Sequence, residues 1–221
     1  MKKILVILLP LISMFSFSEI YDYGNNEKEI VDIVKGKRQG KSIYYFPDGT
    51  KEEAFYIDGV LQGQSVTYYT NGDRERNTYV DGIKDGEATY YFSDGSRKEM
   101  IYSNGVLQGQ STVYYINGNR EVFNYINDKI NGNYVYYFNN GSREESTYVN
   151  NVLQGDYVIY YQNGDKEKGT YINGKKQDKR VYYYASGDRE EYNYDENKKQ
   201  IYGTSIIYHI NGEKEEIRYE N

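Results

Sequence analysis

The chain has no cysteine and no tryptophan, one histidine and two prolines in 221 residues. Without cysteine there can be no disulfide, no thiolate metal site and no lipid on a mature N-terminal cysteine. The single His209 has no second histidine, no thiol and no nucleophile motif to work with, so neither a catalytic centre nor a metal centre is expected, and no cofactor is implied. Aliphatic residues are scarce too. Past residue 18 the only leucines are Leu61, Leu107 and Leu153, too few for the core of a two-layer globular domain. The formal charge is −6, an acidic balance that does not suit nucleic acid.

What is present is tyrosine, thirty residues of it, and twenty-two glycines. Twenty of those glycines fall in three columns with a 23-residue period. One column holds Gly40, Gly63, Gly86, Gly109, Gly132 and Gly155, with Asp178 and Gly203 at the later places. A second runs through 49, 72, 95, 118, 141, 164, 187 and 212, and a third through 36, 59, 82, 105 and 174. Such a period marks a repeat array. Segments of about six β-formers flank PDGT, TNGD, SDGS and their equivalents, and Asp-Gly or Asn-Gly between such segments predicts a two-residue type I′ hairpin turn. The fold expected is all-β: an elongated, single-layer antiparallel meander of about eight hairpin repeats and sixteen strands, with side chains half wet on both faces. VLQG at 60, 106 and 152 and YYF at 44, 90 and 136 add a doubled, 46-residue period.

At the start, Lys2 and Lys3 precede the apolar run ILVILLPLISMF and then Ser16-Phe17-Ser18. This predicts a signal peptide over 1–18, cleaved after Ser18, and export to the periplasm, the cell surface or the medium. Residues 19–39 read as an N-terminal capping hairpin and 40–221 as the array.

With two-residue turns, one face would carry the tyrosines at 45, 68, 91, 114, 137, 160, 183 and 208 together with those at 56, 79, 102, 125, 148, 171, 194 and 219. The other face would pair an aromatic before each turn with a cation after it: Phe46 with Lys51, Tyr69 with Arg74, Phe92 with Arg97, Tyr115 with Arg120, Phe138 with Arg143 and Tyr161 with Lys166. That aromatic-cation set is the candidate partner-binding face. Glu52, Glu75, Glu121 and Glu144 recur beside cations and read as solvated surface charge.

The pattern Tyr79-x-Asp-Gly82-x-x-x-Gly86, then YYF, then Asp94-Gly95, resembles the MORN repeat, and more closely the bacterial MORN-variant form of exported and antitoxin-type proteins. The resemblance covers 36–219 and implies a non-enzymatic scaffold that works by protein contact. It departs from the parent motif at Glu75, Asn77 and Ala88, which argues against lipid head-group binding. YYFSDGS and YYFNNGS also resemble the aromatic turns of choline- or glucan-binding wall repeats, which implies a carbohydrate- or wall-binding module as the alternative.

Overall fold

In a computed structural model, residues 2–5 and 18–219 are described, and among them there is no helix. The strands form two compact units, 1–109 and 110–221, each an antiparallel meander of hairpins. From Lys37 onward sixteen strands follow once each two-residue strand is joined across its bulge to the next. Ahead of them Ser18–Gly24 pairs with Glu27–Val34 around Asn25 and Asn26, both at positive φ. Lys2–Leu5 pairs along Ser18–Gly24. Residues 6–17, which hold most of the apolar run of the expected signal peptide, lie outside the described residues.

The two connections of each repeat differ, and the difference corrects the expected turn. At PDGT only Gly49 has positive φ. The Gly49 N–H donates to the Phe46 carbonyl at 3.0 Å and the Phe46 N–H to the Thr50 carbonyl at 2.8 Å. This is a three-residue loop closed by a glycine bulge. Asp48 acts through its side chain, whose Oδ1 accepts the Thr50 N–H at 2.9 Å, so its backbone need not enter the left-handed region. The true I′ turns are the second connections, where Asp58-Gly59, Asp81-Gly82, Asn104-Gly105 and Asn173-Gly174 all have positive φ at both residues.

One extra loop residue shifts the pairing by one and exchanges the faces of one strand. The partner of Lys51 is Tyr45, not Phe46, and the partner of Arg74 is Tyr68, not Tyr69. Gly40 faces Tyr56 and Tyr44 faces Glu52. The Tyr56 column therefore shares a face with Tyr44, Glu52 and Phe46, opposite the Tyr45 column.

That face is packed rather than half wet. Its centre is a double row of facing pairs, Ser42 with Ala54, Ser65 with Asn77, Ala88 with Met100, and in the second unit Tyr157 with Gly169. Ser65 and Tyr157 are both 0% exposed. Ser42 and Ala54, both small, are buried in a recess that Tyr44, Phe46 and Tyr56 help to line. A single sheet thus builds a core on one side from tyrosine and serine, which is how a chain almost without leucine folds.

Candidate interaction face

The packed face holds a ladder of carboxylates. Glu29 is 2% exposed and accepts Arg38 Nε and Nη2, each at 2.8 Å. Glu144 takes Tyr171 Oη at 2.7 Å and Lys176 Nζ at 2.8 Å. Glu167 takes the hydroxyls of Tyr157 at 3.0 Å and Tyr192 at 2.8 Å. Glu144 and Glu167 are buried, so the solvated reading of this column is corrected: the tyrosines supply the hydrogen bonds that let a carboxylate leave water. Glu75 shows the balance. Burial pushes its pKa up, but Lys84 Nζ at 3.0 Å and Tyr69 Oη at 2.9 Å outweigh it, and the net shift is down. At Glu52 burial wins and the shift is up.

The candidate partner-binding residues divide between the two faces. Phe46, Tyr69, Phe92, Tyr115, Phe138 and Tyr161 lie on the packed side and form ring triads at the doubled period. Tyr69–Tyr90–Phe92 has centroid separations of 6.0 and 4.8 Å, and Tyr115–Tyr136–Phe138 of 6.4 and 4.7 Å. Tyr161 meets Tyr182 at 5.6 Å. The doubled period has a physical cause in the turns. Asp73 reaches into the next hairpin, where its Oδ2 accepts Tyr90 Oη at 2.6 Å and its Oδ1 the Ser93 N–H at 2.8 Å. Asn119 and Asp165 repeat this arrangement 46 and 92 residues on.

The cations lie on the opposite face and stack on the tyrosine of the following repeat. In the first unit Lys28 sits over Tyr45 at 4.5 Å, Lys51 over Tyr68 at 4.2 Å and Arg74 over Tyr91 at 4.2 Å. In the second, Arg120 sits over Tyr137 at 4.2 Å and Arg143 over Tyr160 at 4.0 Å. Arg97, on the same strand position, has its Nε 3.0 Å from Glu99. An aromatic-cation array exists, but it joins the cations to the tyrosines assigned to the other column and runs between repeats. Lys214 pairs with Tyr208, and the Nδ1 of the neighbouring His209 lies 3.3 Å from Asp188.

Beyond the stacked cations, the open face that carries them exposes apolar side chains that the sequence reading did not single out. In the first unit Phe55, Ile57, Val60, Val80, Ile83 and Ile101 are 41–49% exposed. Ile57 pairs with Val60 and Val80 with Ile83 across successive I′ turns. The signal was available, a β-branched residue on each side of Asp-Gly, but its side of the sheet depended on the bulged turn. Among the described residues no cluster suits a metal ion, and no helix is long and apolar enough to cross a membrane.

No curated protein matches the chain. Among solved structures it is similar to the TCP domain of Drosophila melanogaster SAS-4 (dCPAP), in a complex with a proline rich motif of Ana2 (dSTIL), at 16% identity over 96% of this chain and 99% of that one, with a TM-score of 0.34. It is similar also to the TCP10 domain of Danio rerio CPAP, at 14% identity over 82% of this chain and 96% of that one, with a TM-score of 0.25. The family model of the MORN repeat matches residues 32–51 and 78–97. These two segments, one doubled period apart, each run from the flank of an I′ turn through YYF to the cation beyond the bulged turn.

Proposed function

We propose that this chain is a non-enzymatic repeat scaffold, exported from the cytoplasm, that works by contact with another protein through the face carrying Tyr45, Phe55 and Ile57. One observation carries the reading: the sheet fills one face with its own side chains and leaves apolar residues on the other in a contiguous exposed strip, as interaction surfaces do. The recurrence of chemistry at every rung, with no convergent acid, base and nucleophile among the described residues, suits a scaffold better than an active site. The carbohydrate reading ranks second, because cations already cover the tyrosine rings on which a sugar would stack.

A photo-crosslinking amino acid at exposed Gln64, on the open face, tests the contact. Protein adducts from this site in cell-envelope or medium fractions are expected, and their absence would overturn the reading. N-terminal sequencing tests the export. Glu19 at the mature terminus is expected; Met1 retained on a cytoplasmic protein would overturn that part and favour the antitoxin-type role.

A further inference from the structure

The open face of the first unit is polarised along its line of I′ turns. Three successive rungs make up the strip: Val34 with Lys37, Ile57 with Val60, and Val80 with Ile83, each pair facing across one turn. The turns stack, the Gly59 N–H donating to the Arg38 carbonyl at 2.8 Å and the Gly82 N–H to the Leu61 carbonyl at 2.9 Å. Charge follows the same order. The first turn residue is Lys35, then Asp58, then Asp81. The residue after Gly40, Gly63 and Gly86 is Lys41, then Gln64, then Glu87, all three exposed. Lys41 also reaches Glu53 at 2.8 Å, and Asp81 Oδ1 accepts Gln62 Nε2 at 2.6 Å. Both columns thus run from basic at the Val34 rung to acidic at the last.

Reversed end for end, such a strip is its own complement. A second copy turned by 180° about an axis along the strands, at the middle rung, meets the first open face to open face with its rungs in inverse order. The Val34 rung then lies over the Val80 and Ile83 rung of the copy, and the two middle rungs meet. Lys35 and Lys41 come beside Asp81 and Glu87 of the copy, and the symmetry repeats the match on the other side of the axis. The spacing agrees without adjustment, because rungs lie about 9.6 Å apart in both copies. Strand lies over strand, as in the aligned packing of two sheets. Asp58 is the one mismatch, since it meets Asp58 of the copy at the edge formed by the turns. The second unit lacks this polarity. Its corresponding line carries Ile126, Val149 and Ile172, with Lys129 and Lys175 across the two outer turns, and reversal would set lysine near lysine, with Asp128 beside the first only.

We infer that the open face of the first unit is an interface between two copies of this chain, packed with their rungs in reverse order about a two-fold axis at Ile57 and Val60. The inference rests on the protein-contact reading above and names the partner as a second copy.

Sedimentation of the full chain should show a species of twice the chain mass that dissociates on dilution. A photo-crosslinker at Gln64, which lies at the middle rung, should join two copies. Two charge variants test the order of the rungs: Lys35→Glu with Lys41→Glu, and Asp81→Lys with Glu87→Lys. Lys35 and Asp81 hold the same turn position at φ of +50°, so the turns accept either residue. Each variant alone brings like charges together and should dissociate at least about tenfold more readily. An equal mixture of the two restores opposite charges at both ends and should associate as the wild type does. Asp58→Asn, which copies Asn104 in the same column, should tighten the pair. Ile57→Thr with Val60→Thr should loosen it by about tenfold with the circular dichroism unchanged. A chain monomeric throughout, a dimer that Gln64 does not join, undiminished association of either charge variant alone, or a mixture no tighter than its components would overturn the inference. Wild-type sedimentation and the Gln64 adduct decide it should a charge variant fail to fold. If the chain is monomeric while Gln64 crosslinks to a different protein, the second-copy inference falls and the protein-contact reading stands. If the chain is monomeric and Gln64 joins nothing, both fall.

Discussion

The ring of Tyr157 occupies the space that a side chain at Gly169 would need. A Cβ at position 169 would stand 2.6 Å from the ring and hydroxyl of Tyr157, its partner across the hairpin. This accounts for a glycine outside the three periodic columns, in a strand without positive φ. Elsewhere the same double row holds Ala54, Asn77 and Met100 opposite Ser42, Ser65 and Ala88. Size is traded across the pair, so the face fills without a second layer.

Gly169→Ala should therefore destabilise the second unit by roughly 1–3 kcal/mol, as overpacking does. Tyr157→Ser added to it should recover part of that loss, because the pair then resembles Ser42 with Ala54. Thermal melts of the two single variants and the double variant give the coupling. Purely additive losses would show that the two positions do not share the space.

The carboxylate ladder predicts opposite effects from one substitution at adjacent rungs. Glu75 has a lowered pKa in the fold, so its contribution is present above the ordinary carboxylate range and is lost as pH falls through and below it. Glu52 has a raised pKa, so folding favours its protonated form and its charge is a cost at neutral pH. At pH 7 Glu75→Gln should lower the melting temperature, with a loss of about 1–3 kcal/mol, and Glu52→Gln should raise it. Both differences should shrink toward pH 3, where the native carboxyls are protonated. Melting curves of both variants from pH 3 to 8 check the signs.

Within a bulged turn, sensitivity should be confined to the glycine. Gly118 has φ of +86° and Ile116 is 76% exposed. Gly118→Val should cost roughly 1–2 kcal/mol, whereas Ile116→Ala, two residues away, should leave stability within about 0.5 kcal/mol. Proteolysis near residue 118 should rise only in the first.

These turns mark where the sequence was legible and where it was not. Glycine spacing and Asp-Gly or Asn-Gly pairs were enough for hairpins, antiparallel pairing and strand number, because they report where the chain reverses. They did not distinguish the reversals, since Asp48-Gly49 and Asp58-Gly59 read alike while only the second has positive φ at aspartate. The cue lay one residue on, in Thr50, Asp73, Ser96 and Asn119, whose N–H groups bond back to the aspartate or asparagine before the glycine. Missing that residue exchanged the faces and split the candidate site. The burial of Glu144 and Glu167 was hidden for another reason: a periodic charge looks the same whether water or a tyrosine hydroxyl satisfies it.

The doubled period offers the last test, at the link from one turn to the next. Asp73 holds Tyr90 and the Ser93 N–H of the following hairpin, and the hydrogen bond to Tyr90 leads the shifts that lower the Asp73 pKa and push Tyr90 up to about 12. Asn119 makes the same link with an amide: its Nδ2 donates to Tyr136 Oη at 2.7 Å and its Oδ1 accepts the Asn139 N–H at 2.9 Å. Asp73→Asn should then keep the link, reversing the sense of the Tyr90 bond, while Asp73→Ala should break it. Hydrogen exchange at residues 93–96 should be several-fold faster in the alanine variant and near wild type in the asparagine variant. Because a lowered carboxylate pKa gives stability that is lost as pH falls through it, wild-type protection at these amides should weaken on acidification, and that of the asparagine variant should not. Ultraviolet titration should show one tyrosine ionising at lower pH in both variants, since each removes the carboxylate from Tyr90. Fast exchange in the asparagine variant would mean that charge, rather than geometry, couples the two turns, and Asn119 would then hold its neighbour by another contact.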